Sequence, residues 1–443
     1  MGLRTSVIAR LIVMGIILMG LLIPLTMVQS VVSERAARRD SVVSDLSSTW
    51  GGLQTVAGPL LVVPYQCTIT DNDGKTRLVT GRATFLPEAL DLQGTLAPEI
   101  RQRSLFKTVV YSAHLTIAGR FTPPDLSAVT RGVVQPLWNE AIVGIGITDP
   151  RGIAKRVTLN WAGADNPLEP GVVDSGVLTA GLHAGVDLTA PSASKAAIPF
   201  SLVLDLNGSR DLRILPAGND TTVRLASSWP HPGFIGSSSP QSHTINASGF
   251  TAVWEVPYFG RGFSRTWIDA GLDREKMKNQ ADASAFGVSL VQPVDIYQQS
   301  ERAVKYAVLF IVLTFVVFFL FEVVRARLLH PVQYVFVGFA LCIFYLLLVS
   351  LSEHIGFDPA YAVAAVATTA LISSYSMFVL GGRLEGLLVG ASVGAVYGFL
   401  YLLLRLEDYA LLAGSVGLFA MLSVVMLLTR KVNWYDLRLG AAD

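Results

Sequence analysis

The feature that most constrains this chain is a series of long apolar segments, one near the amino terminus and five in the last third. The first covers about residues 7–28, directly after Arg4 and Arg10. The other five cover about residues 304–324, 333–351, 360–380, 387–404 and 410–428. A helix of about 20 apolar residues spans the hydrocarbon core of a bilayer and satisfies its own backbone polar groups there. The pattern therefore predicts a membrane protein with six transmembrane α-helices.

The amino-terminal segment has a rival interpretation as a cleaved signal peptide, because Val28, Gln29 and Ser30 form a small-residue stretch at its end. The apolar regions of signal peptides are about 7–15 residues long, which is shorter than this segment. We therefore favour an uncleaved anchor, with residues 1–29 forming a short tail and the first transmembrane helix.

The short segments that flank the predicted helices differ in charge from one side of the membrane to the other, with nearly all of their basic residues on one side. One side holds Arg4, Arg10, Arg325, Arg327, Arg383, Arg430, Lys431 and Arg438. The short segments on the other side hold Glu353, Asp358, Arg405, Glu407 and Asp408. Lys and Arg accumulate on the cytoplasmic side of membrane proteins. This predicts that both termini are cytoplasmic, including the tail 431–443, and that residues 30–303 are periplasmic, leaving 304–430 as a five-helix transmembrane bundle.

The region 30–303 has the pattern of a soluble, mainly β domain. In 108–118 and 200–206 apolar and polar residues alternate, which is typical of strands with one buried face. Further strands are predicted at 60–65, 77–85, 141–148, 157–161, 222–226 and 250–256. Many short strands separated by Gly, Pro, Asn and Asp favour a sandwich-like fold or layered antiparallel sheets. The Ala-, Pro- and Ser-rich stretch 189–199 is either an internal domain boundary or a long loop.

Composition argues against several functional classes. Charged residues make up 15% of the chain and the net charge is +1, without a dense basic tract, so we predict no nucleic-acid partner. The two cysteines and His114, His183 and His243 lack the spacing of metal ligands. Phosphate-binding, dinucleotide and local hydrolase motifs are absent. We predict no metal or cofactor site and no enzymatic activity, although a triad assembled from distant residues leaves a periplasmic hydrolase open.

Two pairs of residues are candidates for function. Glu353 and His354 end a predicted membrane helix, where they form either a proton relay or an ordinary polar helix end. Trp229 and His231 lie in a proline-stiffened loop that forms either a binding platform for carbohydrate or peptide or a cap on the core. The second interpretation is the commoner one in each case.

Four glycines recur at every fourth position of one predicted membrane helix. They are Gly386, Gly390, Gly394 and Gly398. Glycines at this spacing let another helix approach closely. We expect them to mediate helix packing, either within the bundle or between subunits of a homo-oligomer.

Several stretches of the chain resemble the CreD family of bacterial inner-membrane proteins. They are 85–121, LNGSRDLRILPAG at 206–218, SSWPHPGFIG at 227–236, and above all 286–357. The resemblance covers most of the chain. It implies a role in cell-envelope integrity and a link to a two-component stress response to carbon source and β-lactams. It brings no established catalytic residues.

Together these features lead to one expectation and two alternatives. We expect a non-enzymatic inner-membrane protein embedded in the lipid bilayer, whose periplasmic domain binds a periplasmic protein or peptidoglycan and so supports envelope integrity. The alternatives are a transporter or channel component, and a membrane-bound periplasmic hydrolase.

Overall fold

The computed structural model describes residues 7–70, 76–126, 134–172, 175–189, 196–290, 296–325, 329–406 and 409–430. The predicted tail 431–443 lies outside these ranges, as do 190–195 of the predicted boundary stretch. The chain forms two compact units. One, the bundle unit, comprises Met1–Asp40 and Val294–Asp443, and the other, the β unit, comprises Ser41–Pro293.

Eight α-helices are found among the described residues. They are α1 (Val7–Thr49), α2 (Arg274–Ser284), α3 (Ile296–Lys305), α4 (Ala307–Arg325), α5 (Pro331–Ile355), α6 (Phe357–Val379), α7 (Arg383–Arg405) and α8 (Ala410–Thr429). Five of them, α1 and α5 to α8, are long and apolar enough to cross a membrane. The consecutive helices α3 and α4 meet at a bend of 47° and give a sixth span when they are counted as one.

The ends of the membrane helices follow from local sequence. His330 caps α5 through its side chain, Gln333 completes a capping box, and Pro331 occupies the first turn, where its missing N–H costs nothing. Gly356 separates α5 from α6 with a φ of +81°, a conformation that glycine adopts without strain. Pro24 lies inside α1, which continues through the residues after the anchor without a break.

In its described residues, the β unit contains 18 strands in two sheets. The strands are β1 (Gln54–Thr70), β2 (Thr76–Phe85), β3 (Ala89–Arg103), β4 (Phe106–Phe121), β5 (Val134–Pro136), β6 (Ala141–Ile147), β7 (Thr158–Trp161), β8 (Ala164–Pro167), β9 (Glu169–Pro170), β10 (Gly181–Val186), β11 (Ile198–Ser209), β12 (Asp211–Leu215), β13 (Asp220–Ser227), β14 (Pro232–Gly236), β15 (Ser242–Asn246), β16 (Gly249–Pro257), β17 (Thr266–Ile268) and β18 (Phe286–Leu290). Every strand segment predicted above falls on one of them to within a residue.

A ten-stranded sheet has the order β14-β18-β12-β1-β6-β10-β9, with β2, β5 and β17 attached beside it. An eight-stranded sheet has the order β15-β16-β13-β3-β4-β11-β7-β8. Pairing is antiparallel except between β1 and β12 and between β3 and β13. Buried side chains of both sheets form one hydrophobic core. The predicted membrane protein with a sandwich-like β domain is therefore confirmed.

The chain enters and leaves the β unit at the same end of its sheets. Gln54, at the start of β1, pairs with Leu212, and the N–H of Leu290, at the end of β18, donates to Arg210 O at 2.7 Å. The opposite end of the sheets holds Asp220, which pairs with Pro257 at the end of β16. The short helical turn Tyr258–Gly260 follows Pro257 directly and so lies at the end away from both chain connections.

Candidate functional site

A buried carboxylate joins three helices of the bundle unit. Glu322 of α4 forms an ion pair with Arg10 of α1, and its side chain is only 1% exposed. The hydroxyl of Tyr334 in α5 donates to Glu322 Oε2 at 2.9 Å, and the N–H of Leu329 donates to Oε1 at 3.2 Å. We call these four residues the Glu322 cluster. Ionisable groups within transmembrane segments are costly unless paired and often mark functional sites.

The Glu322 cluster forms one wall of a cavity of about 580 Å³. Its other walls are mostly apolar and are contributed by Val13, Met14 and Ile17 of α1. A volume of this size lies within the range of about 300–1,000 Å³ that is usual for small-molecule sites. The cavity thus combines an apolar interior with a small group of polar atoms, the arrangement that orients a ligand in a binding site.

A second polar cluster surrounds Glu353, one of the predicted candidates. The Glu353 side chain is 7% exposed, accepts a hydrogen bond from Tyr297 Oη at 2.9 Å, and has its Oε1 3.9 Å from Arg35 Nε. The guanidinium of Arg39 lies 5.8 Å from the Tyr297 ring centroid. His354 takes no part in this group, because it is exposed and its Nδ1 lies 3.0 Å from Ser350 O on its own helix. The structure therefore does not bring Glu353 and His354 together as a relay.

The two clusters lie at opposite ends of the apolar part of α1. Arg10 and Arg35 are separated by about 37 Å along a helix, given a rise of about 1.5 Å per residue. This distance matches a bilayer of roughly 30 Å of hydrocarbon with part of its headgroup layers. The paired arginines therefore delimit the stretch of α1 that is suited to lipid.

The four predicted glycines of α7 have two different environments. A Cβ at Gly386 would lie 2.2 Å from Met377 Cγ, and one at Gly390 would lie 2.7 Å from Ser373 Oγ, so α6 approaches both closely. Ser373 Oγ also donates to Gly386 O at 2.9 Å. At Gly394 the nearest atom would be 3.8 Å away, and at Gly398 nothing lies within 4 Å. The latter two glycines line an open groove of about 860 Å³ between α6 and α7.

An exposed aromatic turn stands at one end of the β unit. Phe259 is 91% exposed, and its ring lies 5.5 Å from that of Tyr258 in an edge-to-face arrangement. We call Tyr258–Gly260 the aromatic turn. Aromatic residues, phenylalanine included, are enriched in the cores of protein–protein interfaces.

Arg261 holds the aromatic turn in place. Its side chain is buried, and Nη1 donates to Ala217 O at 2.7 Å and to Gly218 O at 3.1 Å, while Nη2 donates to Asn219 Oδ1 at 3.0 Å. The guanidinium lies 4.8 Å from the Tyr258 ring centroid, close enough for a cation–π interaction. Burial lowers the pKa of Arg261 to about 10, so it stays protonated near neutral pH. The turn is thus fixed to the adjacent β12–β13 connection.

The predicted platform at Trp229 and His231 has a different character. Trp229 is half-buried against the core, and its backbone N–H donates a hydrogen bond to Ser227 Oγ at 3.2 Å. His231 is exposed. The tryptophan thus packs against the core with part of its surface exposed.

A His–carboxylate pair lies on the exposed face of β4 and β11. His114 Nδ1 is 2.6 Å from Asp205 Oδ1, and Lys155 Nζ is 2.8 Å from Asp205 Oδ2. The nearby hydroxyl of Ser112 is directed to Asn207 Oδ1 at 2.8 Å. No hydrogen bond described by the structure joins Ser112 to His114, as a nucleophilic triad would require. Within the described part of the chain, no group of three or more His, Cys, Asp or Glu side chains could hold a metal ion.

Sequence reasoning missed the Glu322 cluster and the aromatic turn. The sequence analysis did not select Glu322, and it used Arg10 only as a signal of membrane topology. One available signal was the carboxylate itself within an otherwise apolar run. For Phe259, no local periodicity distinguished an exposed aromatic residue from a core residue.

Comparison with known proteins agrees with this architecture. The family model described as Inner membrane protein CreD matches residues 6–435. Inner membrane protein CreD of Escherichia coli (strain K12) is 31% identical over 424 residues, covering 94% of this chain and 91% of that protein. Among solved structures, an M1 zinc metallopeptidase from Deinococcus radiodurans aligns with a TM-score of 0.17 and 11% identity over 40% of this chain and 41% of its own, too little to indicate a shared fold. The chain, a multi-pass inner-membrane protein, belongs to the CreD family.

Proposed function

We propose that this chain is a non-enzymatic inner-membrane protein that supports cell-envelope integrity under stress, β-lactam stress included, by binding a partner protein through its β unit. In this proposal both termini are cytoplasmic and residues 30–303 are periplasmic. The distribution of Lys and Arg supports this topology. A periplasmic β unit would meet the cell wall and periplasmic proteins directly.

The observation that carries the proposal is the exposure of Phe259 on a turn whose next residue, Arg261, is anchored in the β unit. A backbone that is held in place before binding loses less conformational entropy when a partner covers it. Arg261 anchors the turn through three hydrogen bonds to the β12–β13 connection. The aromatic turn therefore has the properties of a protein-binding hot spot.

In-cell photo-crosslinking tests this function. A photo-reactive phenylalanine analogue replaces Phe259 in the full-length chain, and the control carries it at Val203, an exposed apolar residue on β11. We expect the probe at Phe259 to capture a periplasmic protein, with little capture at Val203. Equal capture at both positions, attachment to peptidoglycan fragments, or no capture at all would refute a specific protein partner.

A second candidate function is transport of a small, largely apolar solute through the bundle unit. The cavity beside the Glu322 cluster favours it, because a buried carboxylate next to an open volume is a common feature of proton-linked transporters. Glu322→Gln removes the titratable group while keeping its shape. If Glu322→Gln keeps a wild-type level and thermal midpoint but loses stress resistance in cells, while Phe259→Ala keeps that resistance, transport replaces partner binding as the leading function.

A further inference from the structure

The outermost strand of the eight-stranded sheet, β15, has an open edge. Among the described strands it pairs only with β16, and all five of its residues are exposed. Asn246 and Gly249 face each other across the two-residue turn that joins these strands, which makes them the hydrogen-bonded pair. Pairing alternates along an antiparallel ladder, so the backbone N–H and C=O groups of His243 and Ile245 point away from β16.

This edge lacks the proline and charged residues that commonly prevent strand pairing. The other outermost strands in the two sheet orders, β8, β9 and β14, each contain a proline. β15 consists of Ser, His, Thr, Ile and Asn, with neither proline nor an Asp, Glu, Lys or Arg. Folded proteins commonly block exposed edges with proline or charge because an open edge is a template for another strand.

The core side of this edge is apolar. Ile245 and His243 lie opposite Phe250 and Ala252, both buried, so their side chains are on the inner face of the sheet. Ile245 is nevertheless 45% exposed. The ring of Phe234, from the edge of the other sheet, lies 5.2 Å from the His243 ring. An apolar strip therefore continues the core out to the open edge.

We infer that β15 binds an extended segment of the partner protein as an additional antiparallel or parallel strand. This inference rests on the proposed function and specifies its partner. Main-chain hydrogen bonds to His243 and Ile245 would supply affinity, and apolar side chains at alternate positions would cover Ile245 and Phe234. A second copy of this chain is a poorer occupant, since a stable interface between folded proteins needs about 20–30 residues a side. A five-residue edge is suited to a peptide segment.

The test places a photo-reactive phenylalanine analogue at His243 or at Ile245 of the full-length chain in cells, followed by mass spectrometry of the crosslinked peptides. Both positions face the same side of one strand. We therefore expect them to capture one segment of one protein at attachment points about two residues apart. Capture of unrelated segments, or of a differently tagged copy of this chain, would overturn the inference.

Backbone pairing is tested with the probe kept at His243. Ile245→Pro deletes the outward N–H but no bond to β16, whereas Ile245→Val keeps the N–H. One lost hydrogen bond predicts about 2- to 13-fold less crosslinking for the proline variant. Ile245→Lys leaves the backbone N–H intact but places a charge in the apolar strip, so it should also reduce capture. This variant replaces the proline variant as the test if the proline variant folds poorly. Wild-type capture by both the Pro and Lys variants would contradict strand addition.

The probe at Phe259 separates the two proposals. A partner captured at Phe259 but at neither position of β15 refutes strand addition and leaves the proposed function intact. The absence of capture at Phe259 and at β15 refutes both.

Discussion

Tyr334 of α5 donates a hydrogen bond over 2.9 Å to Glu322 of α4, a carboxylate that is also paired with Arg10 of α1. The amino-terminal helix is thus tied to two consecutive helices of the last third of the chain at one buried group. Removing one member of a buried ion pair leaves the other charge without compensation and costs about 3–5 kcal/mol. We therefore predict that Glu322→Ala lowers the thermal midpoint of the purified protein in detergent substantially.

The charge pair is tested by a double change. Replacing both partners, as in Arg10→Met with Glu322→Leu, removes the desolvated charges together and should restore much of the lost stability. Arg35→Gln is the matched control, because Arg35 is a more exposed arginine of the same helix and its Nε lies 3.9 Å from its carboxylate partner. We expect it to cost about 1 kcal/mol or less. Equal thermal midpoints for wild type and Glu322→Ala would show that the Arg10–Glu322 pair does not hold the helices together.

The glycines of α7 predict a graded series of stabilities. At Gly386 an added methyl group would meet both side-chain and backbone atoms of Met377, at Cγ 2.2 Å and at the backbone N 2.7 Å. At Gly390 it would meet only the side chain of Ser373, within 2.8 Å. Overpacking costs about 1–3 kcal/mol, and alanine is the better helix former. We therefore expect Gly386→Ala to be the most destabilising and Gly390→Ala to be intermediate.

Gly394 and Gly398 provide the controls within the same helix, since the nearest atom to a new Cβ would be 3.8 Å away or farther. Alanine there should leave the thermal midpoint unchanged or raise it slightly. Size-exclusion chromatography in detergent then shows whether the groove beside them contacts a second copy. A shift in size for Gly398→Ala, with unchanged stability, would indicate packing between subunits in place of packing within the bundle.

Arg261 is predicted to be necessary for the order of the aromatic turn. Lysine keeps the positive charge but cannot donate to Ala217 O, Gly218 O and Asn219 Oδ1 at once, because it lacks the planar fork of guanidinium. Hydrogen bonds from a charged donor contribute about 1.5–3 kcal/mol. Arg261→Lys should therefore cost about 2 kcal/mol and also weaken crosslinking from Phe259.

Phe259→Ala tests whether the Phe259 side chain itself contacts the partner, separately from the order of the turn that carries it. Phe259 is almost fully exposed, so its removal should leave the thermal midpoint within about 1 °C of wild type, as expected for surface substitutions. Partner capture in that variant, read with a probe at β15, should still fall. If Phe259→Ala destabilises the protein as much as Arg261→Lys does, the aromatic turn has a packing role in place of a binding role.

The elements that sequence alone predicted are those with local periodicity. The apolar runs predicted the membrane helices, because a span is recognised from about 20 consecutive residues. The alternation of Leu115 and Ile117 with His114 and Thr116 predicted β4, since period two is visible within one strand. β15 has no such alternation of burial, as all of its residues are exposed. Its identity as a strand depends on its pairing with β16.

The candidate sites were harder to predict because their residues meet only in three dimensions. Glu322 has basic neighbours in sequence, yet it pairs with Arg10 from the other end of the chain. Glu353 was a candidate because it is polar and lies at a predicted helix end, but its contacts with Tyr297 and Arg35 depend on the packing of α1 and α3 against α5. The prediction of His354 beside it assumed that sequence neighbours share a site. On a helix, adjacent residues point in different directions.

Asp205 gives a prediction for pH dependence in the β unit. A hydrogen bond from Lys155, and to a smaller extent one from His114, holds the pKa of Asp205 below its ordinary value. A carboxyl with a lowered pKa binds fewer protons in the folded state than in the unfolded state. Its contribution to stability is therefore complete above the unfolded-state pKa of about 3.9 and is lost as the pH falls through the lower, folded-state pKa.

The measurement compares the thermal midpoints of wild type and Asp205→Asn across this range. At pH 7 the wild type should melt about 1–2 °C higher, as expected for an exposed pair worth about 0.2–1 kcal/mol. Below the lowered folded-state pKa the carboxyl is protonated in both states, so the difference should disappear. Lys155→Met is the control, because it removes the first of the two donors and should give a smaller version of the same profile. A difference that stays constant as the pH falls from 7 to the acid limit of folding would show that Asp205 acts through its shape and neutral hydrogen bonds, with no contribution from its charge.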